Sequence, residues 1–224
     1  MYRRGNYEPH LTRFVNEHVS LWSEDHAFDV GAHLGWYSLL LNSQGQGNIH
    51  SFEPDPMNFS LLSENLEMNH AGRVKTNQAA VGETPGTLTL HLYPDKNRGR
   101  HSILPINDGE KVEVEAVSLD DYCRSLEIDP ALVRFVKIDV EGFEPIALKG
   151  ASEILKANPL ILSEYAPEYM EKGGISIPDY LEMMFGNGFS AYKIDEEGIE
   201  VINRDDLSKV SEAIDVVWSK DPIS

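Results

Sequence analysis

The sequence predicts an α/β chain: an open, mostly parallel β-sheet with helices on both faces. Three observations carry that expectation. Short apolar runs alternate with segments of helical period through residues 28–81, the order that right-handed crossovers turn into a parallel sheet. The window Phe28-Asp29-Val30-Gly31-Ala32-His33-Leu34-Gly35-Trp36-Tyr37 reads as a buried strand, a glycine turn and a helix start. Phe135-Val136-Lys137-Ile138-Asp139-Val140-Glu141 then puts charges into a central strand, where near-continuous apolar residues are the rule. With 224 residues, one domain over 1–224 is expected, residues 1–25 forming a helical lead-in.

Pro9 to Trp22 carries Leu11, Phe14, Val15, His18, Val19 and Trp22 at helical spacing, with Pro9 in the tolerated first turn. After the glycine window, Trp36 to Asn42 makes the first crossover helix and Ile49 to Glu53 the second strand. A helix begins at Pro56, runs through Phe59, Leu61, Leu62, Leu66 and Met68, and stops near Asn69 and Gly72. Val74 to Val81 is the third strand. Thr87 to Tyr93 and Lys111 to Val117 alternate as an inserted hairpin around a long loop from Pro94 to Gly109. Leu119 to Leu126 is a short helix after Ser118, Arg134 to Val140 the fourth strand, and Phe143 to Ala157 its crossover helix, with Pro145 in the first turn. Leu160 to Tyr165 is the fifth strand and Ile177 to Phe185 a helix. Phe189 to Ile194 and Ile199 to Asn203 bracket the turn Asp195-Glu196-Glu197-Gly198, and Ala213 to Trp218 closes the sheet.

The glycine window narrows the ligand. A dinucleotide fingerprint needs Gly-x-Gly-x-x-Gly, whereas here Asp29-x-Gly31-x-x-x-Gly35 has an acid before its first glycine and no phosphate-cradling triplet. Gly31 permits a tight turn, and Gly35 lets the helix lie close to the sheet. S-adenosylmethionine fits better than a dinucleotide, because it has no pyrophosphate and carries an ammonium group that Asp29 could hold. Glu53, ending the next strand, is placed to accept both ribose hydroxyls. Alone, the short motif also suits an ordinary strand-to-helix turn.

Composition excludes several functions. The chain has 37 Asp and Glu against 19 Lys and Arg, a formal charge of −18 that repels nucleic acid and anionic membranes. High-salt life or plain solubility would give the same excess. The single cysteine, Cys123, rules out an internal disulfide and a thiolate metal cluster and is expected on the apolar side of a helix. No apolar run approaches a membrane span, and Met1-Tyr2-Arg3-Arg4-Gly5-Asn6 leads into no signal-peptide core, so a cytoplasmic protein is expected. Nothing sets its oligomeric state.

Charges inside the fourth strand call for partners. Lys137 and Asp139 share one side of it, Asp139 falls at its carboxyl end, and Glu164 ends the neighbouring fifth strand, so Lys137, Asp139, Glu141 and Glu164 are expected to converge where open sheets bind ligands. The plainer alternative is an ion pair of Lys137 with Glu141 or Glu164 that only stabilises the sheet end. Lys96, Arg98, Arg100 and His101 lie within six residues in the inserted loop. They suit a carboxylate or phosphate on the substrate, or a solvated loop.

The windows Asp29-Val-Gly-Ala-His-Leu-Gly35, Phe52-Glu-Pro-Asp-Pro56, Ser118-Leu-Asp-Asp-Tyr122 and Lys137-Ile-Asp-Val-Glu-Gly-Phe-Glu144, with Leu148-Lys-Gly150, resemble in kind and order the FkbM family of S-adenosylmethionine-dependent methyltransferases. The likeness spans roughly Tyr7 to Glu164, with a Tyr7-Glu8-Pro9 lead-in. His33 departs from the asparagine usual in the family. The resemblance implies a class I methyltransferase fold, Rossmann-like, with a seven-stranded sheet containing one antiparallel strand. It implies methyl transfer to a hydroxyl of a small metabolite, a sugar or polyketide-like molecule. By the same matching, Asp29, Gly31, Ala32, His33, Gly35 and Glu53 are expected at the cofactor, with Gln78 near adenine and Tyr7 and Glu8 as weaker candidates.

An alcohol nucleophile must lose its proton. Asp139 is the first choice of base by position, with Glu141, Glu164 and a mobile His101 as alternatives, while Lys137 orients the acids or meets a substrate oxygen. Asp139, Glu141 and Glu164 as ligands for a divalent ion is a less favoured version of the same site. His10, His18, His26, His50, His70 and His91 lack metal-ligand spacing and are expected as surface or packing residues. Trp22, Trp36 and Trp218 are expected in the core, Trp36 within possible reach of the cofactor. The rivals are a non-catalytic module on this fold and a nucleotide-dependent oxidoreductase, which the missing third glycine disfavours.

Overall fold

The computed structural model describes residues 7–93 and 98–223; the first six residues, Lys96 and the Arg98 side chain lie outside the described part. α1 (Pro9–His18) leads into β1 (His26–Val30), α2 (Trp36–Gln44), β2 (Asn48–Phe52), α3 (Pro56–Met68) and β3 (Val74–Asn77). An inserted unit follows, of β4 (Ala80–Val81), β5 (Gly86–His91) and β6 (Lys111–Val117). The chain continues through α4 (Leu119–Ser125), β7 (Val133–Ile138), α5 (Glu144–Lys149), α6 (Ser152–Lys156) and β8 (Leu160–Tyr165). It ends with α7 (Pro167–Lys172), α8 (Ile177–Gly186), β9 (Ser190–Asp195), β10 (Gly198–Ile202), α9 (Arg204–Leu207) and β11 (Ile214–Ser219).

Among the described residues the main sheet has eight strands in the order β10-β9-β11-β8-β7-β1-β2-β3. The run from β8 to β3 is parallel, and β11 is antiparallel to both β8 and β9. That is the expected seven-stranded arrangement with β10 added as an antiparallel edge. The chain steps outward from β1 to β3 and then returns to β7 on the other side of β1. Their carboxyl ends therefore open at a point where the strand order reverses, the usual ligand crevice of such sheets.

Both faces of the sheet are covered. Val136 and Ile138 pack with Phe28, Phe52, Tyr165 and Trp218 on one face, while Phe135 packs with Leu11, Phe14, Tyr37 and Leu41 under α1 and α2 on the other. Each large side chain so buried contributes roughly 1.5–3 kcal/mol. Cys123 is buried on the apolar side of α4, as expected, with its thiol pushed up to about 12 by burial.

Four elements differ from expectation. The third strand is not continuous to Val81: β3 ends at Asn77, opposite Phe52 at the end of β2, and past that point the edge has no partner. The chain turns at Gln78, and β4 pairs instead with β6, forming a three-stranded sheet with β5. The crossover helix breaks after α5, where a Cβ on Gly150 would stand 2.2 Å from the Gly82 carbonyl. α1 stops at His18, because the Trp22 amide is turned to the Asp25 carboxylate, and Trp22 is 75% exposed rather than core. α7 follows Tyr165 directly, where no helix was expected.

Candidate active site

The glycine turn is locked to its surroundings. Gly31 has φ +77°, and a Cβ there would lie 2.0 Å from the Asp139 carbonyl, so both backbone and space require glycine. The Gly31 and Ala32 amides donate to the Phe52 carbonyl at 3.0 and 2.9 Å, tying the turn to β2. Gly35, at φ +88°, caps α2 where a Cβ would meet Leu62 at 2.6 Å. His33, at φ +49°, donates its amide to Glu53 Oε2 at 2.9 Å, and the Asp55 amide donates to Glu53 Oε1 at 2.9 Å. Burial raises the Glu53 carboxyl to about 7, with the two amide bonds pulling the other way.

Above this turn lies a crevice with about 530 Å³ of empty space, solvent at its mouth included. Gly31, His33, Glu53, Asn58 and Asp139 supply its polar side, and Val81, Leu90, Ile103 and Phe143 an apolar slot. The inserted unit forms one wall. Its loop is pinned by Ser102, whose hydroxyl donates to the Glu141 carbonyl at 3.0 Å and whose backbone pairs with that of His91. His101 lines the crevice with its Nδ1 accepting the Tyr93 amide at 2.9 Å, which leaves the proton of the neutral ring on Nε2. In that tautomer His101 is a donor at Nε2.

A buried ionic layer supports the floor. Asp29 pairs in register with Ser51 on β2 and Lys137 on β7. Its Oδ2 accepts from Ser38 at 2.6 Å, and Ser38 meets Ser51 at 2.6 Å. Asp29 is fully buried and is not among the residues that line the crevice. Lys137 is 6% exposed, with its Nζ 3.2 Å from Asp139 Oδ2 and 5.2 Å from the centre of the Tyr37 ring. Burial alone would discharge it, but the Asp139, Asp29 and Glu8 carboxylates hold its pKa above the ordinary lysine value. Tyr37 donates to Glu8 at 2.6 Å, and Tyr7 packs edge-on against Trp36, so the lead-in is joined to the first turn of α2.

A second cavity opens at the ends of β7 and β8, with about 450 Å³ of empty space between Arg100, Glu141, Glu164, Glu168 and Tyr169. Arg100 stacks on Tyr93 at 4.9 Å and donates to the Tyr169 hydroxyl. Glu141, at φ +55°, has its carboxyl raised to about 7 by burial and then by Asp139, with Arg100 opposing. Behind it, Asp139, Glu144 and Glu164 each bring a carboxylate oxygen within 4.8 Å of the others. Like charges that close repel by about 3 kcal/mol per pair at an effective dielectric near 20. Burial and these neighbours accordingly raise the carboxyls of Glu144, to about 8, and of Glu164.

The family model for the methyltransferase FkbM domain matches residues 29–191. The chain belongs to the FkbM methyltransferase family. "Methyltransferase sdnD" of Sordaria araneosa is 30% identical to this FkbM chain over 176 residues, covering 66% of it and 68% of the relative. "31-O-demethyl-FK506 methyltransferase FkbM" of Streptomyces tacrolimicus is 29% identical over 171 residues, covering 62% and 64%. The chain thus spans about two thirds of the length of these relatives. Among solved structures, a SAM-dependent O-methyltransferase from Thermotoga maritima superposes with a TM-score of 0.52 at 14% identity, covering 100% of this chain and 69% of that one. The fold is that of class I S-adenosylmethionine-dependent methyltransferases.

In this FkbM chain the expected site residues divide into three groups. Gly31, His33, Glu53, His101 and Asp139 line the crevice, and Glu141 and Glu164 line the second cavity. Asp29 and Lys137 belong to the buried ionic layer, and Tyr7 and Glu8 join the lead-in to α2. Ala32 packs against Leu62 and Leu66 of α3, Gly35 spaces the helices, and Gln78 is exposed on the turn after β3, next to Ala79 of the crevice lining. Lys137 pairs with Asp139 rather than with Glu141 or Glu164. The acids that cluster most closely are Asp139, Glu144 and Glu164; Glu141 is not among them. Neither Asn58 nor Glu144 is among the expected site residues: Asn58 reads as a polar residue in the first turn of α3, and Glu144, though it closes the window from Lys137, as an ordinary acid at a helix start.

Proposed function

We propose that this FkbM-family chain transfers a methyl group from S-adenosylmethionine to a hydroxyl oxygen of a small, uncharged, hydroxyl-rich molecule, such as a sugar or polyketide-like metabolite. The observation that carries the reading is the position of Asp139. It lines the crevice and clusters with Glu164, which lines the second cavity, so an acid of each compartment meets in one cluster. S-adenosylmethionine, when bound, supplies a methyl on sulfur that an aligned nucleophile displaces in line. Glu53 is the group for the ribose hydroxyls, the apolar slot at Val81 and Phe143 takes the adenine, and the Gly31 turn lets the backbone approach. Asp139 takes the acceptor's proton, held in place by Lys137.

The second cavity favours neutral acceptors. Glu141, Glu164 and Glu168 outnumber Arg100 there, and carboxyl oxygens accept hydrogen bonds from donors such as sugar hydroxyls. A charge of −18 disfavours polynucleotides, and among the described residues no helix is long and apolar enough to cross a membrane. A cytoplasmic enzyme acting on free metabolites is consistent with this. Calorimetry with S-adenosylmethionine, then detection of S-adenosylhomocysteine released with a panel of neutral glycosides and polyketides, tests the reading. Cofactor binding with turnover on a hydroxylated acceptor is expected; absence of cofactor binding sinks it.

A further inference from the structure

We propose that Asp139, Glu144 and Glu164 bind a hard divalent cation, Mg²⁺, Mn²⁺ or Ca²⁺, in the wall between the cofactor crevice and the second cavity. Their carboxylate oxygens converge within 4.8 Å, from just past the end of β7, the start of α5 and the end of β8. An independent observation points to a ligand. Glu144 is fully buried, and its Oε1 is held by the amides of Val140 at 2.8 Å and Gly142 at 3.3 Å, yet its Oε2 has no hydrogen-bond partner among the described residues. Glu164 Oε2 is also buried without a partner. Two unsatisfied carboxylate oxygens in one acidic cluster are costly unless protons or a cation compensate them.

The donor set selects the ion. Only carboxylate oxygens converge, with no imidazole or thiolate among them, and such ligands suit hard cations. Lys137 pairs with Oδ2 of Asp139, so only one of the two Asp139 oxygens is committed to that ion pair. The backbone also shapes the site. Glu141 at φ +55° and Gly142 at φ +92° bend the loop so that the Gly142 amide reaches back to Glu144 and fixes that carboxylate. Under the methyltransferase reading, on which this consequence rests, the cation stands where an acceptor hydroxyl enters and lowers that hydroxyl's hold on its proton.

The test uses the full chain treated with EDTA and dialysed. Mn²⁺ binding is followed by the electron paramagnetic resonance of the free ion, and Mg²⁺ and Ca²⁺ binding by calorimetry. A single site is expected, weakened roughly tenfold or more by Glu144→Gln and by Glu164→Gln, and unchanged by Glu197→Gln on the distant β9–β10 turn. Thermal melts of the metal-free variants establish that each is folded, and Asp139→Asn serves as the third ligand change should either fail. No binding of any of the three ions at millimolar concentration overturns the site, as does binding that all the ligand variants leave intact. Calorimetry with S-adenosylmethionine on the metal-free protein separates the two readings: cofactor binding without any cation binding refutes this site and leaves the proposed activity standing.

Discussion

Where Glu53 meets the glycine turn, both of its carboxylate oxygens accept backbone amides, whereas Glu144 and Glu164 at the other end of the site each keep a buried oxygen with no partner among the described residues. The first region is tied at each point: Phe52 to Gly31 and Ala32, Glu53 to His33 and Asp55, and Asp55 to the first turn of α3. The second gathers carboxylates faster than it gathers donors. The difference teaches that the Glu53 end is a surface whose carboxylate is already held by the backbone around it. The acceptor end instead holds charge in reserve for a ligand, a proton or an ion.

The sharpest way to break the first region is Gly31→Val. Its Cβ would collide with the Asp139 carbonyl, and the backbone would stay in a left-handed conformation that valine resists. Loss of measurable S-adenosylmethionine binding is expected, together with more than about 3 kcal/mol of stability, read by calorimetry and urea unfolding. Asp139→Asn breaks the second region and spares the first. Turnover is expected to fall roughly 10²- to 10⁴-fold while the cofactor Kd stays within about threefold, so a large loss of cofactor affinity would move Asp139 out of the acceptor end. Glu53→Gln should do the reverse, weakening cofactor roughly tenfold to a hundredfold with little change in turnover at saturation.

The parts of this division that were legible in the sequence are local. Asp29, Gly31, Gly35 and Glu53 stand at spacings fixed by a strand, a turn and a helix, so a crevice at that turn follows from residue order alone. The parallel order of β1, β2, β7 and β8 follows from alternation in the same way. Three things depended on contacts between distant segments. Glu144 counts as an acid at a helix start until the loop through Gly142 folds back on it. That Ser38 donates to Asp29 and that Lys137 lies beside it in register is set by strands and a helix that meet only in the fold. Val74 to Val81 reads as one strand because nothing in those residues tells where β2 stops.

The two regions respond to pH in the same direction. Glu53, Glu141 and Glu144 hold their protons more tightly folded, near 7 to 8, than at the ordinary carboxyl value of 4.5. Stability from these protons is fully present below 4.5 and is lost as pH climbs through the folded values. His50, driven down to about 3 by burial, acts in the opposite sense only below its ordinary 6.5. Melting temperatures of metal-free protein are therefore expected to fall from pH 6.5 to about 8.5, by the equivalent of a few kcal/mol. Glu164→Gln should shallow that fall, because it removes one carboxylate from the crowded end. A flat or rising profile would show that the cluster is not short of donors.

The smallest effect separates two side chains near the first region. Asn58, in the first turn of α3, is 2% exposed and lines the crevice beside Glu53, whereas Gln78 is exposed on the turn that carries the chain from β3 to β4. Gln78 ends the segment that an unbroken third strand would have brought to the adenine, but the chain leaves the sheet there and Ala79 and Ala80 line the crevice instead. Asn58→Ala removes a buried polar group and should weaken S-adenosylmethionine about tenfold, while Gln78→Ala should change it by less than about twofold. Equal losses at both positions would mean that the turn after β3 folds over the bound cofactor. The crevice wall would then include a segment that lies outside it without ligand.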